Sequence, residues 1–323
     1  MVSVFQEPLT ATQIKQQAKV LGADLVGIAD GKAMNENPGG SAHQRPADIT
    51  DHDGDRVIVL AKRYSAGTAR IAAWNNRHKF YNDELALTAL EETSLELVYW
   101  LEEKGYPAII VPPTHVDPWR YWGDPNAHQE TLLSFPHAAV EAGLGTLGLN
   151  LQLITPEFGP RVILTAVMCS VDCETDRPMT TALCKGPECG RCLQACPGDV
   201  IGNWQRNWSA CDDFRAPHGF KQLTTHMTDI LNTDDPDQRK NLVRSETSFN
   251  LWQSILRGSG VITGCRRCQD VCPVGEDYAG LSDALDEIAE ATAEKQQRLD
   301  DYKKQAKPET YKNQARWIGE LKS

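Results

Sequence analysis

A chain of 323 residues, 41% hydrophobic and 24% charged, carries enough apolar material for one large core plus a smaller appended module. A formal charge of −11 argues against a broad nucleic-acid or anionic-membrane surface and favours small molecules or proteins as partners. No run approaches the roughly 20 apolar residues of a bilayer span, and Met1-Val2-Ser3-Val4-Phe5-Gln6 shows neither a basic-then-apolar signal nor twin arginines, so a cytoplasmic location and no membrane are expected.

Thr10-Ala11-Thr12-Gln13 reads as a capping box that opens a helix with Ile14, Ala18 and Leu21 on one face, stopped by Gly22. Leu25-Val26-Gly27-Ile28 predicts a short strand, and residues 31–55, rich in Gly, Pro, Asn, Asp and His, a long loop. Val57-Ile58-Val59-Leu60-Ala61 predicts a buried strand. Leu87, Leu90, Leu97 and Leu101 recur at helical spacing over 83–104, and Gly105 ends that helix before a strand at Ala108-Ile109-Ile110-Val111. Beyond the Pro- and Trp-rich stretch 112–128, a helix is predicted over 136–142 and a strand over 161–167. Strands and helices alternate up to residue 168. The chain is then divided into a core (1–168), a cysteine-rich and loop-dominated module (169–280) and a charged helical tail (281–323). Leu281, Leu285 and Ile288 on one face of that tail would suit a homodimer contact.

Ten cysteines in a chain without an export signal favour metal ligation over disulfides. Cys184-x4-Cys189-x2-Cys192-x3-Cys196-Pro197 is followed by Cys265-x2-Cys268-x3-Cys272-Pro273. In bacterial two-cluster ferredoxins the cysteine before the proline reaches across to the other cluster. That crossing assigns Cys184, Cys189, Cys192 and Cys272 to one 4Fe-4S cluster, and Cys196, Cys265 and Cys268, with Cys211 as fourth ligand, to a second. CxxC pairs also build zinc ribbons. The doubled Cys-x3-Cys-Pro ending favours two iron-sulfur clusters. Cys169 and Cys173 stand outside this set, either as another metal or redox site or, the favoured reading, as thiols partly buried at a strand end.

Four blocks resemble corrinoid-dependent reductive dehalogenases: Leu21-Gly22-Ala23-Asp24-Leu25-Val26-Gly27-Ile28; Gly105-Tyr106-Pro107-Ala108; Ala142-Gly143-Leu144-Gly145-Thr146-Leu147-Gly148; and Ile154-Thr155-Pro156-Glu157-Phe158-Gly159-Pro160-Arg161. Their order, and the cysteine module after them, match that family. A similar plan occurs in epoxyqueuosine reductases, so the likeness to their shared superfamily spans about residues 10 to 280. The resemblance implies an α+β protein, with a nitroreductase-like core holding base-off cobalamin beside a C-terminal ferredoxin-like double 4Fe-4S module. No Asp-x-His-x-x-Gly run is present to supply a lower histidine ligand. Gly143, Leu144, Gly145, Thr146 and Gly148 are expected against the corrinoid, glycine permitting close backbone approach, with an ordinary tight turn as the other reading. Arg161 is expected to neutralise charge near the cofactor.

A dozen positions before Ala142, Glu130 stands where relatives carry the polar residue that supplies or anchors a proton. Tyr81 stands in the region of the dehalogenase tyrosine, at a longer distance from Gly105 than in that family. His115, His128 and His137 read as structural. Gly148-Leu149-Asn150-Leu151 replaces the Gly-Arg-Asn-Gly of many dehalogenases. Only 43 residues follow Gly280, short of the helical-repeat tail with which epoxyqueuosine reductases hold tRNA, so no nucleic-acid partner is expected. Trp119, Tyr121 and Trp122 have no counterpart in either family and read as the lining of an apolar substrate pocket or a cap on the core. The function implied is a reductase that takes electrons from ferredoxin or flavodoxin, passes them through two clusters to cobalamin, and reduces an organic, first of all halogenated, small molecule. A corrinoid carrier or cobalamin reductase, and a corrinoid-free electron-transfer protein, are the competing readings.

Overall fold

The computed structural model describes residues 5–36, 39, 44–71, 76–114, 116, 121–257, 264–283 and 291–305. His115, Trp119, Leu285 and Ile288, singled out above, lie outside them. The first helix, α1 (Ala11–Leu21), opens on the expected box: Gln13 N donates to Thr10 Oγ1, and Gln13 Oε1 accepts from Thr10 N. It stops at Gly22, whose φ of +123° costs a glycine little. Strand β1 (Leu25–Asp30) leads into α2 (Gly31–Glu36), where a loop was expected. Asp30 Oδ1 explains the difference, since it accepts the amides of Lys32 and Ala33 and so caps the turn.

Strand β2 (Arg56–Arg63), the long α3 (Asn76–Glu103) and β3 (Ala108–Val111) come next, then α4 (Phe135–Glu141), a small hairpin of β4 (Thr146–Leu147) and β5 (Leu153–Ile154), and β6 (Val162–Cys169). The main sheet has the order β1-β2-β6-β3, each strand antiparallel to its neighbours. Alternate residues of a strand face opposite ways. Ile58 and Leu60 of β2 therefore pack with Ile14 and Ala18 of α1 and Leu90, Leu97 and Leu101 of α3. Val57 and Val59 face the other way, onto Ala138 and Ala139 of α4. With helices on both faces, all eight positions of β6 are buried, which is why it reads as an unbroken apolar run. Gly27 has a packing reason too: a Cβ there would stand 2.2 Å from the Ala142 carbonyl oxygen, where α4 ends against β1.

After Cys169 the chain doubles back along β1, where Asp176 N donates to Ile28 O and Asp176 Oδ2 accepts from Ile28 N. The cysteines then sit on short elements: α5 (Arg191–Gln194), α6 (Trp208–Arg215) and, later, α10 (Arg267–Asp270). Between α6 and α10 lie three helices where loops were expected: α7 (Phe220–Asn232), α8 (Pro236–Val243) and α9 (Glu246–Arg257). Asp235, capping two amides, and Pro236 start α8, and these three helices pack on one another as a lobe. The lobe begins and ends at one place, where Cys265 N donates to Phe214 O at 3.3 Å.

Helix α11 (Ala293–Lys304) folds back onto the first cysteine run. Buried Lys295 donates to the carbonyls of Gln194 and Cys196, and Leu299 fills the space a side chain on Gly190 would need. Leu281 instead packs with Ala69 of the core. The result is a mixed α/β fold in which the cysteine-bearing half is stitched to the sheet. Among the described residues no helix is long and apolar enough to cross a membrane.

Candidate functional site

The fold brings the eight cysteines of the two runs, including Cys211, into two neighbouring groups. Cys196, Cys211, Cys265 and Cys268 line one small pocket, walled also by Val200, Arg206 and Phe214. Cys192, Cys184, Cys189 and Cys272 form the other group, each close enough to burden its neighbours electrostatically. Gly186 and Gly190, at φ of +62° and +59°, let the chain coil tightly through this run. Among the described residues, no three His, Cys, Asp or Glu side chains converge as a single metal ion would require. The second group surrounds a space instead.

Burial pushes the thiols of Cys268 and Cys272 up to about 12, and those of Cys184, Cys192 and Cys265 upward as well. Thiols in that state hold their protons until a metal displaces them. The surrounding donors suit anionic sulfur. Cys184 Sγ accepts the amides of Leu149 (3.4 Å) and Gly186 (3.3 Å), Cys196 Sγ that of Val200 (3.5 Å), and Cys211 Sγ takes Arg206 Nη2 at 2.7 Å. Four thiols per group with N–H groups aimed at sulfur is a donor set that fits an iron-sulfur cluster.

The residues expected against a corrinoid are placed differently. A Cβ on Gly143 (φ +70°) would stand 2.7 Å from Arg177 O, on Gly145 2.0 Å from Ile154 O, and on Gly148 2.6 Å from Ile154 Cδ1. The close approach these glycines permit is made to the protein itself. Thr146 Oγ1 accepts from Leu183 N, and Leu144 packs on the core below α4. Arg161 is buried, and its donors go to both Asp277 carboxylate oxygens (2.9 and 2.5 Å) and to the carbonyls of Cys272 (2.8 Å), Val274 (2.8 Å) and Gln269 (3.5 Å). It ties the start of β6 to the second cysteine run. The side-chain direction at each of these glycines is filled by protein contacts.

Glu130 is half-buried, and its amide donates to the Tyr121 hydroxyl at 3.1 Å. Two residues earlier His128 Nδ1 meets Asp212 Oδ2 at 2.7 Å and its ring stacks on Trp208 at 5.3 Å, so this loop is docked on α6, the helix that carries Cys211. Burial would raise the Asp212 carboxyl, but the His128 bond and Arg215 outweigh it and hold the pKa below its ordinary value. Tyr81 is 46% exposed on α3. His137 is buried 3.5 Å from Glu141, a core position. Cys169 and Cys173 sit in the apolar core under α1 and α3, where burial pushes Cys169 up to about 12.

Two features escaped the sequence. Leu149 and Asn150, in the tetrapeptide that departs from the dehalogenase pattern, reach the cysteines: Leu149 through its amide and Asn150 through Nδ2 to Cys268 O. The first turns of α3 also meet the second cysteine run in a buried charge network. Lys79 pairs with Asp270 at 2.8 Å, Arg266 pairs with Asp83 at 3.0 Å, and Arg266 lies over the Tyr64 ring at 4.0 Å. Burial lifts Asp83 to about 7, with Arg266 and Lys79 opposing and Asp270 adding to the rise. Charged residues beside a Cys-x-x-Cys were the available signal, but nothing in sequence pairs positions 79 and 83 with 266 and 270.

No family model matches the chain. An epoxyqueuosine reductase of Synechocystis sp. is 25% identical over 167 residues, 52% of this chain and 46% of that protein. A tetrachloroethene reductive dehalogenase of Desulfitobacterium hafniense is 27% identical over 297 residues, 83% of this chain and 48% of that one. The chain thus spans about half the length of these curated relatives. Among solved structures, the catabolic reductive dehalogenase NpRdhA matches with a TM-score of 0.51 and 16% identity over 95% of this chain and 37% of that one, a likeness of fold. An epoxyqueuosine reductase solved with an epoxyqueuosine-modified tRNA-Tyr stem loop matches at a TM-score of 0.47 and 19% identity, over 87% of this chain and 70% of that one. These likenesses place the chain in the superfamily of oxidoreductases that holds the epoxyqueuosine reductases and the reductive dehalogenases.

Proposed function

We propose that the chain is a two-cluster iron-sulfur reductase. Cys184, Cys189, Cys192 and Cys272 would hold one 4Fe-4S cluster, and Cys196, Cys211, Cys265 and Cys268 the other, within a ferredoxin-like module (169–280) set on a nitroreductase-like core (1–168). The observation that carries this reading is the sorting of eight buried or half-buried thiols into two groups that each draw on both cysteine runs. When bound, the clusters supply one-electron transfer. The protein's own part is to bury the sulfurs, aim N–H groups at them and keep water from the second cavity. An open cleft of about 420 Å³ beside Cys184, lined by Lys185, Trp204 and Tyr302, offers the first group to a ferredoxin or flavodoxin donor. A cytoplasmic location and an organic, halogenated small-molecule substrate complete the reading.

Glu130 is the proposed proton donor, its loop fixed by the His128–Asp212 contact. Tyr81, on the exposed side of α3, is the weaker catalytic candidate. Base-off cobalamin enters by resemblance alone, and no step is assigned to it through Gly143, Gly145, Gly148 or Arg161. A second reading, reduction of an epoxide on tRNA, is favoured by the named epoxyqueuosine reductases among the relatives.

The deciding measurement is iron and corrinoid content per chain after anaerobic purification with cobalamin present. About eight irons with near-stoichiometric corrinoid support the cobalamin-linked reductase and call for assays on halogenated compounds and on epoxyqueuosine tRNA. Eight irons without corrinoid make the chain an electron-transfer protein. Zinc in place of iron would sink the proposal.

A further inference from the structure

The two cysteine groups receive similar neutral donors. In the first, Cys184 accepts the amides of Leu149 and Gly186. In the second, Cys196 accepts the Val200 amide, and Asn150 Nδ2 donates to the Cys268 carbonyl. What sets them apart is a charge. Arg206 places Nη2 2.7 Å from Cys211 Sγ and Nη1 3.1 Å from Asn150 O, and its guanidinium lies 4.5 Å over the Trp208 ring.

Arg206 Nε is buried with no acceptor, and among the described residues no carboxylate pairs with this side chain. The buried Arg161, by contrast, is neutralised by Asp277. Arg206 lines the same pocket as Cys196, Cys211, Cys265 and Cys268. Among the described residues the guanidinium thus meets the sulfur of Cys211, a member of the second group, in place of a carboxylate.

Reducing a 4Fe-4S cluster adds one electron to an already anionic centre, with no bond formed or broken and no proton required. A desolvated cation bonded to a ligand sulfur stabilises the added charge, and hydrogen bonds to sulfur act in the same direction. We propose that Arg206 makes the cluster held by Cys196, Cys211, Cys265 and Cys268 the more easily reduced of the two, so that the first electron accepted from a one-electron donor comes to rest there. The inference rests on the two-cluster reading above. Arg206 acts through Cys211 and is a positioning residue for charge.

The test is a dithionite potentiometric titration of the iron-loaded full chain, followed by electron paramagnetic resonance, in the native protein, Arg206→Gln and Arg206→Lys. The native protein should show two separate one-electron steps. Arg206→Gln should lower the upper step alone, shifting the reduced-to-oxidised ratio at fixed potential at least tenfold, which for one electron is about 59 mV. Arg206→Lys, which keeps the charge, should lower the same step by less. Equal movement of both steps, movement of the lower step alone, or no movement overturns the proposal. If Arg206→Gln does not take up iron, Arg206→Lys decides: a fall confined to the upper step supports the role, and its absence removes it. Fewer than eight irons in the native protein would instead defeat the two-cluster reading itself.

Discussion

In the sheet, Ile58, Leu60, Val167 and Leu97 meet without needing a single side-chain hydrogen bond. Around the cysteines, cations occupy the interior: Arg161 on the carbonyls of Cys272 and Val274, Lys295 on those of Gln194 and Cys196, and Arg206 on that of Asn150. The contrast follows from element length. Eight-residue strands pair their own backbones, whereas helices of four residues leave most of their carbonyls without an internal partner. Long side chains from elsewhere then serve as the missing donors, and one half of the molecule is held by area while the other is held by individual bonds.

Mutations can sharpen that comparison. Leu97→Ala, at a fully buried core position, should cost about 2–5 kcal/mol, by the same amount with or without iron, as read by denaturant unfolding. A dependence on iron would mean that the sheet and the cysteine region unfold as one unit. Arg161→Met should cost about 3 kcal/mol, because it strands the Asp277 carboxylate and several carbonyls. A loss within about 0.5 kcal/mol would show those bonds to be incidental.

Asp83 gives a pH-dependent test. Its ordinary value is 3.8, and burial raises it to about 7, so the folded protein keeps a proton that the unfolded chain releases. Its favourable contribution is complete below about pH 4 and is lost as pH rises through about 7. Melting temperature should therefore decline over that window, and Asp83→Asn should flatten the decline; an unchanged slope would assign the dependence to other groups. Smallest is Thr10→Ala, which removes the cap of α1 and should cost about 1 kcal/mol in thermal melts.

The sheet was legible because burial on both faces writes itself as apolar runs, and α1 because its cap lies within four residues. The cysteine runs were legible through their doubled Cys-x3-Cys-Pro ending and its likeness to two-cluster ferredoxins. Other features needed contacts distant in sequence. Gly143, Gly145 and Gly148 announce a close approach but not what approaches, and the partner proved to be Arg177 and Ile154. Arg161 read as a residue for a cofactor and is spent on a loop more than a hundred positions away. The lobe of α7, α8 and α9 falls in a cysteine-rich region that reads as loop, although Asp235-Pro236 marks a helix start.

The bond from Cys265 N to Phe214 O closes the base of that lobe, so a long excursion of chain leaves and rejoins the body at a single point. Such a join works like a graft site: what is carried beyond it can be lengthened, trimmed or exchanged at a modest entropic cost, since loop closure depends only weakly on length. The spacing of Cys211 and Cys265 in the chain is therefore free to drift while their spacing in space is held. Among relatives, the variable interval should be the one between these two cysteines, and a lobe of different shape could be mounted there without disturbing the cysteine geometry beneath it.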